Sequence, residues 1–380
     1  MVHLDRERPG IAGPFCVQPA SSPVAVFGKS VSTNQRLDRG LSCAKRQICR
    51  FEPEHLMTEK PRILVTRRWP DAVERVLAER FDASFNTSDV AMDAKALAEA
   101  LQSFDAVLPT VSDRLPASLF EEGDLRTRIL GNFGVGYNHI DIAAAEHYGI
   151  TVTNTPGVLT DCTADIAMAL LLSVARRTGE GEREVRAGQW TGWRPTHMIG
   201  TKVTGKTLGI IGFGRIGKAM AKRCHFGFDM DVVFYNRSKI DPVEAARYGA
   251  RQLETVEDVL AAADFVSLHC PGGGENRHLI NAQRLAVMKP GAYLINTARG
   301  DVVDETALVA VLETGTIRGA GLDVFEAEPN VPERLRALEN VVLLPHLGSA
   351  TEETRTAMGM KVVENITAFF DGREPPDRVA

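Results

Sequence analysis

Three positions late in the chain carry the residue types that acid–base chemistry on a small anion needs. Arg299 follows Ile295-Asn-Thr-Ala298, Glu328 closes Gly321-Leu-Asp-Val-Phe-Glu-Ala-Glu328 ahead of Pro329, and His346 follows Leu343-Leu-Pro345. Arginine offers a carboxylate a bidentate fork. Histidine is the natural proton donor near neutral pH, and a neighbouring glutamate favours the imidazolium form. Chemistry on a 2-keto acid needs that set: a cation for the carboxylate, a proton donor for the carbonyl oxygen, and a group that tunes the donor. Taken singly, each also has a plainer reading. Arg299 could serve a surface salt bridge, Glu328 a helix-end charge and His346 a structural contact, and spacing alone leaves both readings open.

A second signature is more specific. Gly212-Phe-Gly214-Arg-Ile-Gly217 directly follows the strand-like Leu208–Ile211 and opens a helix over Arg215–Arg223. In that context Gly212 makes the tight turn and Gly214 lets backbone approach a pyrophosphate. Gly217 lets helix pack on strand, and the helix N-terminus faces the phosphate charge. About 20 residues on, where an NAD-binding fold places an acid for the ribose hydroxyls, the chain reads Tyr235-Asn236-Arg237-Ser238-Lys239. Asn236 in place of a carboxylate removes the repulsion of a 2′-phosphate, and the Arg237-Ser238-Lys239 run would attract one. NADP(H) is therefore the expected cofactor, with NAD(H) as the alternative.

The elements that must carry these residues alternate. From residue 62, strand-like runs at Arg62–Thr66, Ala106–Leu108, Arg128–Phe133 and Thr151–Asn154 are interleaved with amphipathic stretches at Asp71–Arg80 and Ala94–Leu101. A helical stretch, Thr163–Arg176, leads into a loop holding Trp190, Trp193 and Pro195. A second series begins at Thr207, with runs at Leu208–Ile211, Val232–Tyr235, Phe265–Leu268, Ala292–Asn296, Ala320–Val324 and Val341–Leu344. Alternation of this kind implies parallel sheets with helices on their faces, here α/β in two Rossmann-like doubly wound domains. Glu352–Phe370 is a polar amphipathic segment able to return to the first domain. The expected division is residues 57–159 with 347–380 as a discontinuous substrate-binding domain and 160–346 as an inserted dinucleotide-binding domain.

Composition narrows the class without choosing a function. Across 380 residues, 44% are hydrophobic and 24% charged, with a formal net charge of -5. Collagen-like, coiled-coil and wholly disordered chains are excluded, and nothing in the charge draws the chain to nucleic acid or an anionic membrane. No apolar run reaches the roughly 20 residues of a membrane helix. The six cysteines form no close C-x-x-C pair, which argues against structural zinc and a disulfide framework. A reduced, cytoplasmic protein is expected, with Cys162 and Cys270 as buried thiols. Residues 1–56, with eight Lys/Arg, five Asp/Glu and five prolines, lack sustained apolar periodicity. They read as a poorly ordered extension, with Met57 as a plausible start.

With these motifs in hand, the chain resembles the D-isomer-specific 2-hydroxyacid dehydrogenases, and among them the glyoxylate/hydroxypyruvate reductase branch, from about residue 62 to residue 376. Besides the glycine motif, the resemblance rests on Asn132-Phe-Gly-Val-Gly136-Tyr-Asn-His-Ile-Asp141, Asn154-Thr-Pro-Gly157, Thr163-Ala-Asp165, Thr297-Ala-Arg-Gly300, Gly321-Leu-Asp-Val-Phe-Glu-Ala-Glu-Pro329 and Pro345-His-Leu-Gly-Ser349. It implies that Arg299 holds the substrate carboxylate and carbonyl, that His346 is the general acid/base, and that Glu328 pairs with His346. Backbone N–H groups of Val135 and Gly136 would meet the substrate carboxylate. Thr163, Arg215, Ile216, Asn236, Arg237, Ser238, Pro271, Thr297, Asp323 and Gly348 fall on cofactor-contact positions. Gly134 and His139 receive no role, His139 reading as a structural or surface residue. The resemblance further implies NADPH-linked reduction of glyoxylate or hydroxypyruvate to a D-2-hydroxy acid by a homodimer. The arm around Trp190 and Trp193 would either reach the neighbour's site or simply pack there.

One departure and two rivals accompany this reading. Gly272-Gly-Gly274 after Pro271 replaces polar and β-branched residues, implying a looser adenine-side loop. The rival of a different class is the corepressor branch, a dinucleotide-sensing binding module that keeps the same triad. Turnover of glyoxylate separates it from an enzyme. Formate dehydrogenases share the fold but typically have glutamine where Glu328 stands. The walls around Val111, Val135 and the arm decide which 2-keto acid fits, and the sequence does not rank them.

Overall fold

The computed structural model of the chain describes residues 59–380. The expectations for residues 1–56, their three cysteines and Met57 lie outside the described residues. Twelve strands form two parallel sheets. The first has the order β2-β1-β3-β4-β5, with β1 Arg62–Val65, β2 Asp82–Phe85, β3 Ala106–Leu108, β4 Ile129–Gly131 and β5 Thr151–Thr153. In the second, β6 is Thr207–Ile211, β7 Asp231–Tyr235, β8 Ala250–Gln252 and β9 Phe265–Leu268. It continues with β10 Tyr293–Asn296, β11 Gly319–Leu322 and β12 Val341–Leu343. Its order is β12-β11-β10-β9-β6-β7-β8. In each sheet the order reverses beside the first strand in sequence, and such a switch opens a crevice at the strands' carboxyl ends.

Central strands are buried on both faces, as crossover helices require. Thus β3, β4, β9, β10 and β11 consist entirely of buried residues. The expected helices Asp71–Arg80 and Glu352–Phe370 form with those bounds. Helix Glu352–Phe370 returns to the first sheet, where Val362, Val363 and Ile366 join the core of β1, β3 and β4. The chain end then pairs antiparallel with β5 through Arg378 and Thr153. The long helix Thr160–Arg176 starts earlier than its apolar period and packs on the second sheet, Leu170 lying against Gly321 of β11.

Two short edge strands and several helices, Thr178–Arg186 among them, escape the sequence pattern. Both β2 and β8 sit at sheet edges with partly exposed residues, so neither carries a continuous apolar run. Helix Thr178–Arg186, within what reads as loop, contains two glycines and no buried residue. Arg177 before it adopts the left-handed conformation (φ 54). No described helix is long and apolar enough to cross a membrane.

Candidate active site

Residues beyond the carboxyl ends of ten of the twelve strands, all but β7 and β8, converge on one cleft of about 1090 Å³. Asn296 at the end of β10 folds the first turn: its side chain accepts from Ala298 N–H and donates to Arg299 C=O. That turn projects the Arg299 guanidinium into the cleft. Arg299 Nε donates to Asn138 Oδ1 (3.2 Å) and Nη1 to its neighbour's carbonyl, Ala298 O (2.6 Å). Gly136 lies so close that a Cβ there would fall within the envelope of the guanidinium. Burial pulls the Arg299 pKa below its usual range, against the opposing charges of Glu328 and Asp301.

His346 and Glu328 meet as their types suggest. Nδ1 of His346 donates to Glu328 Oε2 at 2.9 Å, while Glu328 Oε1 accepts from Phe325 N–H at 3.0 Å. Burial acts to raise the Glu328 pKa, but hydrogen bonding to His346, the His346 charge, the Phe325 N–H and Arg299 together bring it below the usual carboxylate range. Glu328 is thus an anion that holds the imidazole with Nε2 left for the cleft. The turn carrying His346 is strained: its φ is 56, a left-handed value uncommon for a residue with a side chain. Asp323 fixes it, accepting from Leu347 N–H (2.6 Å) and Gly348 N–H (2.8 Å) while its carbonyl accepts from His346 N–H. Thr163 Oγ1 adds a bond to Gly348 C=O (3.0 Å). Thr163, Asp323 and Gly348 are therefore the scaffold of the His346 turn as well as cleft-lining residues.

The segment after β4 presents donors. Gly134 C=O accepts from Thr155 N–H and Asn132 Nδ2, Val135 C=O from Asn154 Nδ2, and Gly136 C=O again from Asn132 Nδ2. Within a trans peptide plane the next N–H points the opposite way. The N–H groups of Val135, Gly136 and Tyr137 are accordingly turned away from these bonds, and none has an acceptor among the described residues. Residues 133–138 all line the cleft.

The dinucleotide motif opens on the same cleft. Gly212 has φ 95, and a Cβ there would meet His269 and Cys270 backbone at 2.7 Å. Gly217 packs against the Gly212 carbonyl, whereas nothing lies within 4 Å of a Cβ at Gly214. Helix Arg215–Phe228 thus points free N–H groups at open space lined by Gly214, Arg215 and Ile216. Thr297 Oγ1 is buried without a partner. Pro271 also lines the cleft. A dinucleotide fits these features: an open phosphate cradle and an orphaned hydroxyl near Arg299.

Asn236, Arg237 and Ser238 stand beyond the cleft lining, on the turn after β7. Asn236 Oδ1 accepts from Phe213 N–H (3.2 Å) and Nδ2 donates to Ser238 Oγ (2.9 Å), stapling this turn to the glycine loop. Arg237 is exposed, with only Glu275 at 3.9 Å. Lys239, expected to reinforce the turn, is instead held by both oxygens of Glu254 (2.6 and 2.7 Å). The glycine stretch differs from its loose, adenine-side expectation. A Cβ at Gly272 would meet Asp301 Oδ1 at 2.5 Å and the Arg299 stem at 2.7 Å, and Gly273 N–H donates to Asp301. It is tied to the arginine turn. Cys162 and Cys270 are half-buried rather than buried, and Cys224 is the buried thiol.

Several cleft residues carry no sequence motif that singles them out. Trp69 is buried, tilts on Phe133 with centroids 4.5 Å apart, and has an unpartnered Nε1. Arg68 and Arg355 line the rim. His269, pulled down to about 4 by burial, accepts from or donates to Ser267. The fold brings Arg68 and Trp69, more than 200 residues before Arg299, to the same cleft.

Comparison with known proteins agrees with this geometry. Residues 168–348 match the family model for the D-isomer specific 2-hydroxyacid dehydrogenase, NAD binding domain. Glyoxylate reductases of Thermococcus litoralis and Pyrococcus horikoshii are each 44% identical over 324 residues, spanning 84% of this chain and 97% and 96% of those proteins. Among solved structures, an NADPH-dependent glyoxylate/hydroxypyruvate reductase from Sinorhizobium meliloti, in complex with NADP and malonate, is 36% identical. It superposes with a TM-score of 0.76 over 85% of this chain and 97% of its own.

Proposed function

The chain belongs to the D-isomer-specific 2-hydroxyacid dehydrogenases, which makes it an NAD(P)-dependent oxidoreductase, and from that premise we propose that it reduces glyoxylate to glycolate and hydroxypyruvate to D-glycerate with NADPH preferred. One observation carries the proposal: the His346–Glu328 pair and Arg299 open onto the same cleft as the N-terminus of the glycine-motif helix. The relatives' names, glyoxylate reductase and glyoxylate/hydroxypyruvate reductase, support the substrate class.

Arg299 and the N–H groups of Val135 and Gly136 hold the keto acid's carboxylate, which fixes the carbonyl oxygen beside His346. Protonated His346 gives its Nε2 proton to that oxygen, and Glu328 stabilises the imidazolium before the transfer. The Arg299 charge offsets the alkoxide as it develops. A nicotinamide dinucleotide, when bound, supplies the hydride that forms the new bond at C2. Gly212, Gly214, Gly217 and the first turn at Arg215 and Ile216 would hold its phosphates. Thr163, Pro271, Thr297, Asp323 and Gly348 would flank it, and Asn236, Arg237 and Ser238 would meet its 2′-phosphate. In this scheme residues 57–159 with 347–380 supply the backbone donors for the acid, residues 160–346 hold the dinucleotide, and Arg299 and His346 of the latter reach the acid from their side of the cleft. A second copy of the chain covers the arm, whose Val185, Trp190, Trp193 and Ile199 are exposed around a helix with no buried residue.

The test is an initial-rate comparison of glyoxylate and hydroxypyruvate with NADPH and with NADH, together with the configuration of glycerate formed. NADPH-preferring turnover to D-glycerate is expected. Preference for NADH would break the cofactor assignment. Tight dinucleotide binding without turnover would favour the binding-module reading.

A further inference from the structure

The donors after β4 owe their direction to one buried side chain. Asn132 is fully buried, and its Nδ2 donates to the carbonyls of both Gly134 (3.0 Å) and Gly136 (3.1 Å). An amide can do this in only one of its two flipped orientations, because the flip would set an oxygen against two carbonyl oxygens. Whatever fixes the flip fixes the loop. The group in place is His139, whose Nε2 lies 3.0 Å from Asn132 Oδ1. With Oδ1 as the acceptor, Nε2 must carry the hydrogen. Burial, aided by the charges of Arg299 and Arg114, pulls the His139 pKa down to about 4. The ring is therefore neutral near neutral pH and is held in its Nε2–H tautomer. His139 is itself anchored, since its carbonyl accepts from Leu115 N–H at 2.8 Å.

We infer that His139 is a positioning residue for the carboxylate site: by donating to Asn132 Oδ1 it turns the Gly134 and Gly136 carbonyls inward, and so aims the N–H of Val135 at the keto acid and fixes from both sides the loop that carries the Gly136 N–H. The inference rests on the proposed 2-keto acid reading and names the device behind it. The same segment clamps the cation, through Asn138 Oδ1 on Arg299 Nε and Gly136 against the guanidinium. Arg299 keeps its own bond to Ala298 O, so a displaced loop weakens the N–H half of carboxylate recognition and leaves the guanidinium in place. It leaves His346, Glu328 and the glycine loop untouched, because these stand on other strands. His139 touches no reacting atom and acts only through Asn132.

The test compares His139→Leu, which removes the donor, with His139→Gln, whose amide restores an N–H near the position of Nε2. For His139→Leu, KM for glyoxylate should rise about tenfold, the size of one lost oriented hydrogen bond. Its kcat and the dinucleotide Kd should stay within about threefold of wild type, and His139→Gln should recover most of the KM. Oxamate binding to the dinucleotide complex, followed by fluorescence, reads the same site without turnover and should weaken in parallel. If wild type binds oxamate but does not turn over glyoxylate, the proposed activity fails while the oxamate series still decides the role of His139. An unchanged KM and oxamate affinity in His139→Leu would overturn the inference. So would equal losses in the leucine and glutamine variants, the mark of a packing role alone. Absence of oxamate binding to wild type would overturn both readings.

Discussion

At the turn after β7, the proposed NADPH preference rests on one amide. Asn236 keeps the glycine loop and the turn together through bonds that its Oδ1 and Nδ2 make separately, and leaves the site without a fixed negative charge. With Lys239 occupied by Glu254, the cation left for a 2′-phosphate is the exposed Arg237. Asn236→Asp should move the ratio of kcat/KM for NADPH over NADH towards NADH by about tenfold or more, the effect of an added like charge beside a phosphate. Parallel kinetics with both cofactors measure it. An unchanged ratio would assign the choice to Arg237 alone. Residue types made the triad legible, because Arg299 and His346 stand three residues past recognisable strands and Glu328 lies in the loop after β11. His139 carries no role that its motif announces, since its meaning lies in the flip of Asn132, a packing fact with no sequence signal.

Some elements were legible from the period that burial imposes, whereas helices Val256–Ala262 and Glu305–Glu313, with buried faces of their own, were not. Helix Asp71–Arg80 and strand β9 Phe265–Leu268 formed with the bounds that their apolar residues mark. Edge strands β2 and β8 carry half-exposed residues, and helix Thr178–Arg186 buries none, so each lacks the pattern that would announce it. Within the glycine motif the constraint is steric and testable. A methyl at Gly217 would overlap the Gly212 carbonyl, forcing helix Arg215–Phe228 away from β6. Gly217→Ala should cost about 1–3 kcal/mol of folding stability, as overpacking does, and weaken dinucleotide binding more than tenfold. Denaturant unfolding and a dinucleotide titration check both. Unchanged stability and affinity would show that the helix N-terminus does not need this close approach.

Acid sensitivity belongs to the whole molecule. His139 and His269 stand on different sheets, yet burial pulls each down to about 4, below the ordinary value of about 6.5. As pH falls, the unfolded chain takes up these protons first. The stability each contributes is thus complete above about pH 6.5 and is lost between there and about pH 4. Linkage places the loss on the order of 1–3 kcal/mol per histidine. Denaturant midpoints of the dinucleotide-free protein between about pH 7 and about pH 4.5 should show a steady fall. A flat profile would mean that the two rings are not held neutral. The two-sheet architecture was readable from strand alternation, whereas the meeting of ten strand ends at one cleft depends on sheet order, which no local pattern encodes.

The most direct measurement is the initial rate of NADPH oxidation by glyoxylate for wild type and His346→Ala, with dinucleotide binding measured for both. The account predicts turnover by wild type, a loss of about 10²–10⁴-fold in the variant through removal of the general acid, and dinucleotide affinity unchanged within about threefold. Equal rates would remove His346 from the mechanism, and no turnover by wild type would contradict keto-acid reduction itself.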